Sequence, residues 1–378
     1  MEDVPLDLPV ADALIGRAEE LDRLAALTGL DEAAPRAAAV LLSGDAGIGK
    51  TRLLAALRGR ADGTGWRVLV GHCLDFGESA LPYLPFSELF GRLDTESPSL
   101  AQVLADAYPP MRRVMPGRRP PTDSERDDVP RVDRSELFEG VHAAIEHLGG
   151  DAPLLVVIED VHWADQSTRD LLSFMFARGF STPVSIVVSY RSDDLHRRHP
   201  LRATAAQWAR VPGVDRVDLS PLCDADVRLL VRSLHPAPLR ESDVHTVVER
   251  AEGNAFFVEE LVAAAASGDG ALPRDLAGLL LVRLDQLDEP ARQVVRVTSA
   301  AGRGIAHDVL AEVAGLDGTA LDQGLRDAVE RHVLVPAGPD SYAFRHAMLG
   351  EAVYDDLLPG ERVRLHAAFV RALAAPRT

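Results

Sequence analysis

The stretch Gly44-Asp45-Ala46-Gly47-Ile48-Gly49-Lys50-Thr51 fits the spacing G-x-x-x-x-G-K-[ST]. That spacing constrains the chain on both sides, because it has meaning only where a buried strand runs into a glycine-rich turn that opens a helix. Upstream, AAAVLLS from Ala37 is a short apolar run that reads as the strand. Downstream, TRLLAALRGRA from Thr51 reads as the helix, with Leu53, Leu54 and Leu57 on one face. Glycines let such a loop curl until its backbone N–H groups point inward at phosphate oxygens, and the helix N-terminus adds the positive end of its dipole. Lys50 can then reach β- and γ-phosphates and the Thr51 hydroxyl can ligate Mg²⁺. The bland alternative is a glycine-rich turn with an incidental lysine. Against it, Lys50 is the only lysine in 378 residues, and the other 39 basic residues are arginine. A position that resists such a bias needs a compact ammonium on a flexible stem, where a guanidinium is a flat, wide fork.

Composition narrows the partners. Hydrophobic residues make up 47% of the chain, ample for a buried core, and the length suits two or three domains. A formal net charge of −18 repels phosphate backbones and argues against non-specific nucleic-acid binding. Cys73 and Cys223 lie far apart and in no metal-ligand spacing, so both read as buried free thiols of a reducing cytosol. The start, MEDVPLDLPV, is acidic and is not a signal peptide, and no uninterrupted apolar run is long enough to span a bilayer. A cytoplasmic location with no membrane partner is expected.

Strands and helices alternate up to about residue 220. WRVLVGHC from Trp66, PLLVVIEDVHWAD from Pro153, PVSIVVSYR from Pro183 and VDRVDLSPL from Val214 read as four further short strands. With helical stretches between them they predict an α/β fold, a parallel sheet with crossover helices on both faces. Met115 to Arg134, rich in Pro, Arg and Asp, breaks the rhythm and reads as an exposed, mobile loop.

The third strand ends in Glu159-Asp160. Carboxylates at the end of a buried strand are costly unless they serve a cation or a reaction. In P-loop enzymes the strand beside the loop delivers an acid to the Mg²⁺ shell, and a neighbouring acid orients the attacking water. The plainer alternative is a strand-end acid capping the next helix. The fourth strand ends in Ser189-Tyr190-Arg191. Arg191 is either an ordinary surface arginine or, at the mouth of the same sheet, a γ-phosphate sensor.

LLVVIEDVHWADQSTRDLL from Leu154 resembles the Walker B region of the STAND class of P-loop ATPases. More narrowly, the chain resembles the large ATP-binding regulators of the LuxR family. The other matching stretches are LIGRAEELDRL from Leu14, ALPYLPFSEL from Ala80, LSPLCDADVRLLV from Leu219, GNAFFVEEL from Gly253, LPRDLAGLLLVRLDQL from Leu272 and FRHAMLGEAVYDDLLPGERVRLHAAFVRAL from Phe344. The resemblance implies an AAA-like nucleotide-binding domain over 1–219, a helical lid over 220–271 and a winged helix over 272–378, closing over ADP or ATP. It also implies a signal-gated switch in transcription, with slow ATPase activity, room for nucleotide-dependent self-association, and no DNA binding by this chain alone.

Carried over by position, Lys50 and Thr51 hold phosphate and metal within a binding loop that runs on to Arg52. Glu159 takes the metal-side acid, Asp160 the water-orienting acid, and Arg191 the sensor arginine. Ile15, Gly16 and Arg17 form the block that flanks the adenine. His346 matches the histidine that touches the β-phosphate in the ADP-bound form; on its own it reads as a packing or surface residue. The chain departs from the family pattern in two places. Ala255 stands where the family usually has proline, which puts adenine recognition and the closed lid in doubt. The family's helical repeats and helix-turn-helix are not found before Thr378, so the chain reads as a fragment or a stand-alone core.

The C-terminal half is readable without the family. CDADVRLLVRSL and DEPARQVVRVTSAAG open helices with acids and a proline, and HVLVPAGPDSYAF predicts two short strands around a Pro-Gly turn. Two other functions remain at this level: an ATPase that acts on DNA through its winged helix, and a P-loop enzyme with a small-molecule substrate.

Overall fold

A computed structural model describes residues 14–33, 35–74, 81–116, 134–197, 199–235, 239–267, 274–302 and 304–374. Among these, β1 (Ala38–Gly44), β2 (Arg67–His72), β3 (Leu154–Glu159), β4 (Val184–Arg191) and β5 (Val214–Asp218) form a parallel sheet in the order β2-β3-β4-β1-β5. The strands alternate their side chains between two cores. Val40, Leu42, Leu155, Val157 and Val187 pack on one face with Leu24, Leu53, Leu54 and Leu57, from helices Ala18–Thr28 and Lys50–Asp62. Leu41, Leu154, Val156, Ile158, Ile186 and Val188 pack on the other with Phe86, Leu89, Val141, Ile145 and Leu171. Both faces are covered over β1, β3 and β4, which is why those strands read as nearly continuous apolar runs, whereas β5 at the sheet edge is charged and mostly exposed. Burying each of Leu53, Leu54 and Leu57 stabilises this seating by about 1.5–3 kcal/mol. The α/β sheet with helices on both faces is as the alternation predicts.

The sheet order corrects one expectation. The strand beside the phosphate loop is β4, and β3 with its two acids lies one strand further out. Both β1 and β3 pair with β4, so the acids face the loop across the end of β4.

Beyond β5 the chain turns mainly helical. Helices Asp224–Leu234, Glu241–Ala251 and Ala255–Ser267 share a continuous apolar core with the elements that follow, running from Leu222 to Ala372. Helix Glu289–Ala301 starts as its acid and proline predict: Asp288 Oδ1 accepts from the Ala291 N–H at 2.9 Å, with Pro290 in the first turn. β6 (Ile305–Ala306), β7 (Leu334–Pro336) and β8 (Ser341–Phe344) form an antiparallel sheet in the order β6-β8-β7. β7 and β8 are the two strands predicted around the Pro-Gly turn.

Two further expectations change. Cys73 is buried but Cys223 is exposed, because it precedes helix Asp224–Leu234 and projects off the first turn beside Asp226. In the stretch read as a loop, Met115 is buried in the main core and Arg134 opens a helix, ion-paired with Asp170. Residues 117–133 lie outside the described residues. Among the described residues no helix is long and apolar enough to cross a membrane.

Candidate nucleotide-binding site

β1 hands the chain to the loop at Gly44 and helix Lys50–Asp62 takes it up at Lys50. The curl between them needs left-handed backbone at Gly47 (φ 75°) and Gly49 (φ 104°). Gly47 is doubly constrained, since a Cβ there would stand 2.7 Å from Asn254 Oδ1. Lys50 lies folded into this curl, 7% exposed, with Nζ donating to the Gly44 and Asp45 carbonyls at 2.8 Å each. Burial lowers its pKa, against the opposing pull of Asp193, Asp160 and Asp45. A buried ammonium inside a glycine curl at a helix N-terminus fits a phosphate group.

The two acids at the end of β3 part company. Glu159 is buried, hydrogen-bonded by the Thr51 hydroxyl, and burial raises its pKa. Thr51 and Glu159 together offer two oxygen ligands. That suits Mg²⁺, which takes few protein ligands and fills its octahedron with water and phosphate oxygens. Among the described residues no cluster of three or more His, Cys, Asp or Glu side chains could hold a metal by itself. Asp160 turns away into left-handed backbone (φ 57°), its N–H donating to Ser189 Oγ of β4 at 3.2 Å. It stands at the start of the short helix Val161–Trp163, but its side chain makes no capping hydrogen bond there, and the cap of the longer helix Gln166–Arg178 is supplied by another residue. Asp165 fills that position, accepting from the Ser167 and Thr168 N–H groups. Arg191 lies in register with Gly44, at the mouth of the sheet, with Nη1 3.8 Å from Asp194 Oδ2. His162, buried beside Asp160 and Asp194, is pushed down to about 2 by burial and by the Arg191 and Lys50 charges, which keeps it neutral.

The block from Ile15 to Arg17 sits against the same loop. Arg17 is buried and donates to the Ser220 carbonyl at 2.6 Å and the Ile48 carbonyl at 3.3 Å. Gly16 (φ 67°) faces helix Asp224–Leu234 so closely that a Cβ would stand 2.6 Å from Asp226 Cγ. Ile15 packs on the C-terminal core. Arg52 makes an exposed ion pair with Glu259 at 3.2 Å, a weak contact.

The C-terminal part reaches the loop through residues to which sequence reasoning assigned no role in it. Asn254 Nδ2 donates to the Ala46 carbonyl at 2.8 Å, and the Phe256 N–H donates to the Gly47 carbonyl at 3.1 Å. Ala255, the departure from the family's proline, opens helix Ala255–Ser267 between those two contacts. Arg345 Nη2 lies 2.6 Å from Asp45 Oδ2, and Ser192 Oγ donates to Asp45 Oδ1 at 2.7 Å. Burial pushes the Asp45 carboxyl up, but the bonds from Arg345 and Ser192 outweigh it and hold it below the usual carboxylate range. His346 itself faces Glu252 (3.4 Å) and stands edge-on to Phe257, so its neighbour Arg345 makes the direct loop contact. Asn254 and Arg345 sit inside the matching stretches GNAFF and FRHA, which was the available signal.

Residues 13–188 match the family model described as the AAA ATPase domain. The fold is that of an AAA-like P-loop ATPase. An uncharacterized protein of Rhizobium meliloti (strain 1021) is 26% identical over 387 residues, covering 93% of this chain and 36% of the relative. The chain thus spans about a third of the length of the curated relative it matches. Similar solved structures include a Signal Transduction ATPase with Numerous Domains from Pyrococcus horikoshii, which has a tetratricopeptide repeat sensor (16% identity, 99% of this chain, 48% of that one, TM-score 0.41). They also include Cdc6p from Pyrobaculum aerophilum (15%, 98% and 97%, 0.45) and the ORC1 protein of Aeropyrum pernix in complex with DNA (17%, 92% and 95%, 0.45). In this chain, the loop, the β3 acids and Arg191 converge at one end of the sheet.

Proposed function

We propose that the chain is an ATP/ADP-driven conformational switch with slow ATPase activity, the regulatory core of a LuxR-family regulator. The observation that carries this reading is the grip of the C-terminal part on the phosphate loop. Arg345 holds Asp45 and Asn254 holds Ala46, so a change at the loop is felt 200 to 300 residues along the chain. In this reading 1–219 bind nucleotide, 220–271 form the lid and 272–378 a winged helix used as an intramolecular clamp. Lys50 and the loop hold the phosphates, and Thr51 and Glu159 hold Mg²⁺, which neutralises charge on the phosphate oxygens when bound. Asp160 accepts the proton of the attacking water, Arg191 senses the γ-phosphate and His346 donates to the β-phosphate. Ile15, Gly16 and Arg17 flank the adenine.

Two titrations test this. ADP and ATP should bind the wild type, and Lys50→Ala should lose both. ATP turnover should be slow and the same with or without duplex DNA. Strong stimulation by DNA would replace the switch with an ATPase that works on DNA, a reading the net charge of −18 disfavours. Nucleotide-dependent self-association would show in the same samples by light scattering.

A further inference from the structure

His162 lies in the single turn Val161–Trp163 that follows β3. Its side chain is fully shielded from water, and neither ring nitrogen has a hydrogen-bond partner among the described residues. Buried polar atoms are seldom left in that state, so such a residue calls for a reason. The ring is wedged between two carboxylates. Nδ1 stands 3.7 Å from Asp160 Oδ1, and Nε2 stands 3.5 Å from Asp194 Oδ2. The Trp163 ring packs against it, with centroids 4.9 Å apart.

We propose that His162 is a positioning residue for hydrolysis: its Nδ1–H donates to Asp160 and sets the direction of that carboxylate. This rests on the ATPase reading above, which has Asp160 accept the proton of the attacking water and gives His162 no part. The Asp160 backbone is already fixed, left-handed at φ 57° with its N–H on Ser189 Oγ. Its side chain is 33% exposed, and the carboxyl group still turns about its own side-chain bonds. A reacting group displaced by about 1 Å loses on the order of a hundredfold in rate. A flat ring shut in beside Trp163 is a rigid stop for such a carboxylate. A shift of about 1 Å closes the Nδ1 gap to hydrogen-bond length. Asp194 does not compete on equal terms, because Arg191 Nη1 stands 3.8 Å from the same Oδ2 that faces the ring. Burial and the Arg191 and Lys50 charges keep the ring neutral, so it has one N–H to give.

Steady-state ATP hydrolysis by the full chain with Mg²⁺, and ADP affinity by calorimetry, test this. His162→Ala should lower kcat by about tenfold or more and leave KM and ADP affinity within about twofold. His162→Asn sets an amide N–H where Nδ1 stands and should recover most of that loss. His162→Gln sets one where Nε2 stands, facing Asp194, and should not. In an Asp160→Asn background His162→Ala should slow turnover by less than about twofold further, since the two residues act as one unit. Equal kcat in the Asn and Gln variants overturns the proposal, and that comparison holds even if His162→Ala fails to fold. So does full additivity of His162→Ala and Asp160→Asn, or an equal loss of ADP affinity and turnover, which marks a packing role. Wild-type ATP turnover that is absent, or that survives Lys50→Ala, overturns the ATPase reading, and the proposal falls with it. Turnover that Lys50→Ala abolishes and His162→Ala leaves intact overturns the proposal alone.

Discussion

Arg345 Nη2 and Asp45 Oδ2 stand 2.6 Å apart across 300 residues of sequence, and both side chains are largely shielded from water. Removing one partner leaves the other charge partly buried and unmatched. Arg345→Ala should lower stability by about 1–3 kcal/mol, read by urea unfolding. An unchanged midpoint would mean that the contact holds nothing.

The same pair sets a pH dependence. Asp45 is held low by Arg345 and Ser192 against its burial, and Glu252 is held low by His346 and the Ala347 N–H against its own. A carboxyl with a lowered folded pKa contributes stability that is present above its unfolded value and lost as pH falls through the folded one. The melting temperature should therefore drop below about pH 4. The drop should be shallower in Arg345→Ala, which leaves the upward push of burial on Asp45 opposed mainly by the Ser192 bond. Parallel melting curves from pH 3 to 7 for the two proteins would contradict this.

Lys50→Arg should impair nucleotide binding nearly as much as Lys50→Ala. The ammonium sits between two carbonyls of the curl, where a planar guanidinium does not fit. A lost charge-assisted contact of about 1.5–3 kcal/mol corresponds to roughly a ten- to hundredfold loss in affinity. Wild-type affinity in Lys50→Arg, measured by calorimetry, would sink the argument from the single lysine.

The β3 acids should separate in experiment as they do in space. Glu159→Gln removes a buried charge, so it should raise stability by about 1 kcal/mol while weakening the Mg²⁺ dependence of binding. Asp160→Asn should keep binding and slow hydrolysis by about 10²-fold. Wild-type turnover in Asp160→Asn would refute its role on the water.

His346→Ala removes the partner of Glu252 and the ring edge against Phe257. It should release a fluorescent ADP about tenfold faster in stopped flow, while ATP binding through Lys50 persists. Equal release rates would leave His346 as a packing residue.

What could be read from the sequence was local. The phosphate loop is a contiguous run, and the strands of a doubly covered sheet are short apolar blocks, so Gly44–Thr51 and Glu159-Asp160 stood out. Strand order was not legible, because β4 enters between β1 and β3 by tertiary pairing alone. The grip of Asn254, Arg345 and Asp193 on the loop spans 208, 300 and 147 residues. No periodicity carries such contacts. The exposure of Cys223 was missed because composition favours buried thiols and says nothing of a side chain projecting from a helix start.

β4 also works as a gauge. Its width separates the phosphate loop from the acids by two strand spacings, close to 10 Å, and its last residues fill the gap. Ser189 accepts from the Asp160 N–H, and Arg191 stands level with Gly44. Side chains on a strand alternate faces, so a slip of one residue in β4 would put Tyr190 where Ser189 meets Asp160 and carry Arg191 out of line with the loop. A single deletion inside Val184–Arg191 would thus change which side chains lie between the phosphate loop and the acids while leaving every residue of the loop and both acids in the sequence.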